Sequence, residues 1–273
     1  MRELNFQQTV ERSLSTKFKA SIYAKFLRAI EDYQLISPGD VIGVAVSGGK
    51  DSLLMAKLLQ EAKRRGGLEF DLKFITMNPG FSDENLALLK SNCEKLGIDI
   101  IIEDSRIFDI VGKIAGESPC YLCARMRRGF LYAMAKKHGC NKLALGHHFD
   151  DVIETTLLNL FYAGTFGTMM PKARSENFEG MELIRPLYLV KEADTIHFAK
   201  YHGIETMDCG CTIACHTGSS KRAEMKQLVE AMRQHNPNVD ISIFRATEKV
   251  NLHDILGYYD DTDQIMRRFP DNY

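Results

Sequence analysis

Apolar positions along the chain alternate between a helical period and short continuous runs, and the switches between them mark the elements. Residues 1–35 set Phe18, Ile22, Phe26, Leu27 and Ile30 among Lys17, Lys19, Lys25 and Arg28. That spacing predicts one or two amphipathic helices. Ser37-Pro38-Gly39-Asp40 is turn chemistry, and it launches the β-branched run Val41, Ile42, Val44 and Val46. Such a run is that of a strand buried on both faces. Helical periodicity starts at Lys50 and continues through Leu59. A strand at Phe70–Met77, a helix near 83–96 and a strand at Ile98–Ile102 come next, then a helix near 121–138 and a strand at Lys142–Leu145. A helix at about 150–163, a short strand near Glu182–Ile184 and a helix near 191–202 complete the series. Strands alternating with helices predict an α/β fold with a doubly wound parallel sheet. Residues 203–218 have no period, Ser219–Arg233 reads as a helix, and the remainder reads as more helix and turn. The expected organisation is an N-terminal helical segment at 1–35, an α/β domain at 36–205, and a cysteine loop with a helical extension at 206–273.

The turn between the first strand and its helix is Ser47-Gly48-Gly49-Lys50-Asp51-Ser52. Its glycines let backbone amides approach a ligand closely, and the following helix start offers free N–H groups at the positive dipole end. The expected ligand is a phosphate. It is not a Walker A loop, because Val44 stands at the first glycine position and Asp51 follows Lys50. Instead the segment resembles the PP-loop of the ATP pyrophosphatases, also described as adenine nucleotide alpha-hydrolase-like proteins. The resemblance implies enzymes that split ATP between its α- and β-phosphates and use the AMP half to activate an oxygen.

A second strand-to-helix junction, Gly146-His147-His148-Phe149-Asp150-Asp151, opens on the same sheet edge if the sheet is parallel. Asp150 and Asp151 suit two roles there: capping a helix start, or holding Mg²⁺ beside a polyphosphate. Further landmarks are Ile36–Asp40, Asn78-Pro79-Gly80-Phe81, Pro119-Cys120-Tyr121-Leu122-Cys123, Arg125–Gly129 and Ile184-Arg185-Pro186-Leu187. Together they resemble the TtcA-type tRNA 2-thiocytidine synthetases. The resemblance places Ser47, Gly49, Asp51 and Ser52 on the nucleotide phosphates; Gly48, Lys50, Gly146 and Asp151 are expected at the same nucleotide site. It places adenine against the strand end at Met77, and Mg²⁺ near Asp51 and Asp151.

The cysteines are seven, an odd count, and they cluster as Cys120/Cys123 and Cys209/Cys211/Cys215. In a reducing compartment such clusters point to metal or redox chemistry rather than a disulfide framework. Cys120-x-x-Cys123 can serve a zinc site, a cluster edge or a disulfide, and Cys209, Cys211, Cys215 and His216 could complete a zinc site. The family resemblance implies a [4Fe–4S] cluster on three cysteines with the fourth iron open. Cys120 and Cys123 are two of them; Cys211 is the first choice for the third and Cys215 the next. Cys93 and Cys140 have no cysteine neighbour and read as small buried hydrophobes.

A net charge of −1 gives no global case for nucleic acid, so RNA contact falls to a local patch. The Arg125, Arg127 and Arg128 group follows Cys123 directly and could grip phosphates around a splayed-out base. Lys17/Lys19, Lys63–Arg65, Lys136/Lys137 and Arg267/Arg268 read as solvated faces. Met1–Gln8 has no apolar signal core, and no apolar stretch reaches the roughly 18–20 residues of a spanning helix. A cytoplasmic protein without membrane contact is therefore expected. The resemblance implies an enzyme that adenylates the C2 carbonyl of tRNA cytidine 32 and replaces its oxygen with sulfur. A donor such as a cysteine desulfurase and a homodimeric state belong to that expectation, and Asp51, Cys120 and Cys123 carry its chemistry. Two other readings stay open: a PP-loop enzyme acting on another base or joining an amine, and a non-catalytic sulfur or redox sensor.

Overall fold

The computed structural model describes residues 4–105, 119–207, 221–260 and 265–269, with backbone alone at 119–124 and 260. Two compact units divide the chain: Met1–Val152 with Met169–Ser220, and Ile153–Thr168 with Lys221–Tyr273.

The first unit opens with α1 (Phe6–Ser15), a π-helical turn (Lys19–Tyr23) and α2 (Ala24–Asp32), matching the amphipathic pattern of residues 1–35. Next come β1 (Asp40–Ala45), α3 (Lys50–Arg65), β2 (Phe70–Asn78), α4 (Asp83–Leu96) and β3 (Ile100–Asp104). The series continues with α5 (Pro119–Lys137), β4 (Lys142–Ala144), α6 (Phe149–Leu158, which from Ile153 on belongs to the second unit), β5 (Lys172–Arg174), β6 (Glu182–Ile184) and α7 (Glu192–Tyr201). The helix expected to run to 163 is α-helical only to Leu158 and closes in a π turn at Asn159–Ala163.

The six strands lie in the order β3-β2-β1-β4-β6-β5. All pairs are parallel except β5 with β6, so the doubly wound α/β sheet carries one antiparallel edge strand. From β1 the chain winds outward through β2 and β3, then returns to lay β4 on the other side of β1. The crossovers diverge there, and crevices beyond the carboxyl ends of β1 and β4 are where such sheets take ligands.

Burial explains the rigidity of this frame. Val44, Ile42 and Leu143 are fully buried, and Tyr132, Met134 and Ala135 of α5 pack against Ala45, Ile75, Met77 and Leu183. Helix α3 buries Leu53, Leu54, Met55, Ala56, Leu58 and Leu59, and even Lys57 is fully enclosed. A buried ammonium is tolerated only with partners. Lys57 donates to Glu11 at 2.9 Å, Gln60 at 2.8 Å and the Leu96 carbonyl at 2.8 Å. At the opposite end of the sheet from the crevice, buried Lys142 reaches Asp40 at 2.8 Å and the Leu35 carbonyl at 2.8 Å, tying β4 to the entry of β1.

The second unit holds α8 (Lys221–Arg233), α9 (Val239–Glu248) and a hairpin of β7 (Gly257–Asp260) with β8 (Ile265–Arg268). Arg222 pairs with buried Glu154 at 3.3 Å, and Arg233 with buried Asp240 at 3.0 Å. The hairpin corrects the expectation of helix and turn alone after Arg233. Tyr258, Tyr259, Ile265 and Met266 supply its β-prone positions, but Gly257 and Asp260 hide the period. Among the described residues no helix is long and apolar enough to cross a membrane.

Candidate active site

Strand β1 delivers the chain into the crevice at Val46, whose N–H donates to the Ile75 carbonyl at 2.9 Å. The turn beyond it holds itself with serine hydroxyls. Ser52 Oγ accepts from the Ser47 amide at 3.1 Å and from Ser47 Oγ at 3.2 Å, and donates to the Gly49 carbonyl at 2.9 Å. Gly48 sits at φ +85°, and a Cβ there would lie 2.5 Å from Met207 Sδ. Only glycine meets both demands without strain. Helix α3 then begins at N-cap Gly49 with no side-chain cap. Its first amides and positive dipole end face the turn with no side-chain cap among the described residues, which is the arrangement that binds phosphate.

Lys50 Nζ lies 3.0 Å from Asp51 Oδ2 and 3.4 Å from Glu192 Oε1. Burial works against its charge, but Asp51 and then Glu192 outweigh it and hold the ammonium above its ordinary range. Asp51 Oδ1 is buried and makes no hydrogen bond among the described residues. A buried carboxylate oxygen without a donor calls for an explanation. Mg²⁺, bound through one or two carboxylates plus phosphate oxygens, fits that donor set.

The second junction faces the first. A Cβ on Gly146 would stand 3.3 Å from both the Asp51 carbonyl carbon and the Ser52 nitrogen, so this glycine seats the start of α3. Asp151 Oδ2 accepts from the His148 amide at 2.9 Å, while His148 Nδ1 accepts from the Asp151 amide at 3.3 Å. That exchange is a capping box on α6 built with His148 as N-cap. Asp150 Oδ2 accepts from the Glu192 amide at 2.7 Å and so serves the start of α7. Both acids therefore have a capping role. Met77 ends two residues past the reach of β1. Ile75 bonds toward β1 and Asn78 toward β3, where Ser105 donates to it at 2.8 Å. By ladder alternation the Met77 backbone points to the side β1 has vacated, while its side chain is in the core.

Cys120 and Cys123 fall three residues apart in the first turn of α5, so the two positions share a helix face. Cys209, Cys211 and Cys215 lie outside the described residues. Cys93 and Cys140 are buried hydrophobes as expected, their thiols pushed up by burial to about 12 and about 11. Sequence reasoning gave no role to Met207, Glu192 or Arg185. Met207 packs on Gly48 and donates its amide to the Gly48 carbonyl at 3.4 Å. Only its position just before the cysteine loop hinted at this. Glu192 opens a helix, a place where an acid normally reads as a dipole partner.

A doubly wound sheet whose switch point holds an uncapped Ser-Gly-Gly-Lys-Asp-Ser turn defines a nucleotide-binding protein of the PP-loop class, and the family model for the PP-loop domain matches residues 18–208. A tRNA-cytidine(32) 2-sulfurtransferase of Geobacter metallireducens is 38% identical over 231 residues, 84% of this chain and 89% of the relative. Its counterpart in Geobacter sulfurreducens is 39% identical over 225 residues, 82% and 87% of the two chains. The chain belongs to the tRNA-cytidine(32) 2-sulfurtransferase family, as its motifs imply. Among solved structures, the U34-tRNA thiolase NcsA from Methanococcus maripaludis, with its [4Fe-4S] cluster, shares the fold. It has a TM-score of 0.67 at 23% identity, over 85% of this chain and 77% of NcsA.

Proposed function

We propose that this chain is a cytoplasmic enzyme that uses ATP to convert cytidine 32 of tRNA to 2-thiocytidine. The observation that carries the proposal is the uncapped start of α3 beside the buried, unbonded Asp51 Oδ1. An anion site and a cation ligand stand side by side there, as ATP with a divalent cation requires. The N–H groups of the Gly48–Ser52 turn hold the phosphates. Asp51 with Asp151 would hold Mg²⁺, which when bound neutralises charge on the phosphate oxygens. The Met77 backbone meets the adenine edge, and Gly146 keeps the start of α3 in place.

The C2 carbonyl oxygen of the cytidine attacks the α-phosphorus, the bond to the β-phosphate breaks, and pyrophosphate leaves. Lys50, charged throughout, stabilises the developing negative charge; positioning and electrostatics supply most of the rate. Sulfide, released from the donor's persulfide by two electrons from a thiol reductant, then attacks C2, and AMP leaves with the former carbonyl oxygen, giving the thiocarbonyl. Cys120, Cys123 and Cys211 would hold a [4Fe–4S] cluster, which when bound supplies an iron position for sulfur. The sulfur comes from a donor such as a cysteine desulfurase, and the working unit is a homodimer. Adding unmodified tRNA to the protein with α-labelled ATP tests the first step. Pyrophosphate should leave and the label should join tRNA with cytidine at position 32, and a tRNA carrying another base there should give neither. Equal labelling of both tRNAs would overturn the base assignment.

A further inference from the structure

Beside the cysteine-bearing helix the first unit keeps a cavity of about 670 Å³. Arg125, Arg128 and Tyr132 of α5 line one side, and Glu176, Asn177 and Phe178 of the turn after β5 line the other. Arg125 and Arg128 are exposed and three residues apart, so their guanidinium groups share a face. Neither forms an ion pair among the described residues, unlike Arg64 and Arg65, which both bind Glu61. Arg127 does not line the cavity, so the arginines that act together are Arg125 and Arg128. The far wall is set by Tyr132 stacked on Phe178, ring centroids 5.3 Å apart and planes at 15°.

Arg185 lies close to Arg128 and is only 7% exposed. Its Nη1 donates to the Met170 carbonyl, while its Nε is buried with no acceptor, and it forms no ion pair among the described residues. Burial, and then the neighbouring Arg128 charge, push this guanidinium down to about 10; Tyr188, Tyr132 and Asp151 are the groups that oppose them. Arg125 and Arg128 against the single Glu176 carboxylate leave the cavity lining with an excess of positive charge, to which the Arg185 charge adds through Arg128. A bound anion would relieve that repulsion.

We propose that this cavity binds a backbone phosphate of the RNA substrate, gripped by Arg125 and Arg128 and supported electrostatically by Arg185. The inference rests on the tRNA reading above. It adds where the strand beside the target nucleotide is held. At 1.5 Å rise per residue, Arg128 lies about 7.5 Å along the helix axis from Cys123. A phosphate fixed there keeps the neighbouring nucleotide near the cysteine pair, as single-stranded RNA recognition requires.

The test is a salt series of tRNA binding by the full-length protein, wild type against Arg125→Gln/Arg128→Gln. Both positions are exposed, so the variant should fold, and its ATP binding without tRNA checks that it has. The double variant should bind about tenfold more weakly at low salt, with a log–log salt slope shallower by about one. Glu176→Gln should bind tRNA a few-fold more tightly, a sign a merely structural role would not give. Lys90→Gln/Lys95→Gln removes the same charge from exposed positions on α4 and should leave the slope unchanged. Wild-type slope and affinity in the arginine variant would overturn the inference while leaving the function standing. Equal slope changes in the arginine and lysine variants would overturn it too. No tRNA binding by the wild type would overturn both.

Discussion

The two strand-to-helix junctions that meet at the switch point are built from similar residues and behave differently. At Gly146–Asp151 the polar groups serve the scaffold: Asp151 and His148 cap α6 reciprocally, and Asp150 serves the start of α7. At Ser47–Ser52 the serines hold the turn in shape, but among the described residues α3 begins without a side-chain cap and one buried Asp51 oxygen has no bond. A helix start capped by Gly49 instead of a capping side chain forgoes only about a few tenths of a kcal/mol, a small sacrifice where a ligand supplies the missing partner. The difference teaches that acids at a helix start are not equivalent. Asp150 and Asp151 each hold a backbone amide and so cap a helix whatever else they bind, whereas Asp51 Oδ1 holds no donor among the described residues.

Substitutions can break this contrast, beginning with the largest effect. Asp51→Asn should lower tRNA-dependent AMP formation about 10²–10³-fold, the scale of removing one preorganised electrostatic group, with little change in thermal midpoint. A loss of stability matching the loss of rate would make Asp51 structural. Gly48→Ala comes next. Met207 can swing away from the new methyl, but the +85° φ cannot be relieved, and an L-residue there costs roughly 1–2 kcal/mol. The KM for ATP should therefore rise about 5–30-fold; an unchanged KM would show that the turn does not need its glycine.

The second junction separates its own two acids. Asp150→Asn should cost about 1 kcal/mol of stability and leave the Mg²⁺ dependence of AMP formation alone. Asp151→Asn should cost a similar amount and also raise the Mg²⁺ concentration needed for half-maximal rate. Identical Mg²⁺ curves for the two variants would confine Asp151 to its capping role.

The smallest effect lies away from both junctions. Half-buried His202 bonds Ser13 Oγ at 2.8 Å, joining α1 to the end of α7, and burial lowers its pKa below the ordinary 6.5. A depressed value means the neutral ring is favoured in the folded state. Its contribution is present above pH 6.5 and is lost as pH falls through the folded value. Denaturation midpoints taken from about pH 7 to about pH 5 should fall more steeply for the wild type than for His202→Gln. Parallel curves would remove His202 from the acid response.

The sequence carried much of the frame because its signals were local. The β1 run, the glycine turn and the α3 period abut one another, and α4 occupies the predicted residues 83–96. Strand β5 is three residues long, and Lys172-Ala173-Arg174 has no strand pattern until β6 pairs with it. The π turns at Lys19–Tyr23 and Asn159–Ala163 left no compositional trace either. Within the site, the Ser47–Ser52 turn was legible because its residues are contiguous between a strand pattern and a helical one. Met207 over Gly48, Glu192 on Lys50 and Arg185 beside Arg128 were not, since each contact joins segments far apart in sequence. The capping roles of Asp150 and Asp151 needed the backbone amides that the fold brings to them.

The most direct measurement is a nucleoside digest of tRNA from cells lacking the gene, read by mass spectrometry for 2-thiocytidine. The nucleoside should be absent, restored by the wild-type chain, and not restored by Cys120→Ala or Asp51→Asn. Persistence of 2-thiocytidine without the gene, or full restoration by either variant, would contradict the proposed chemistry.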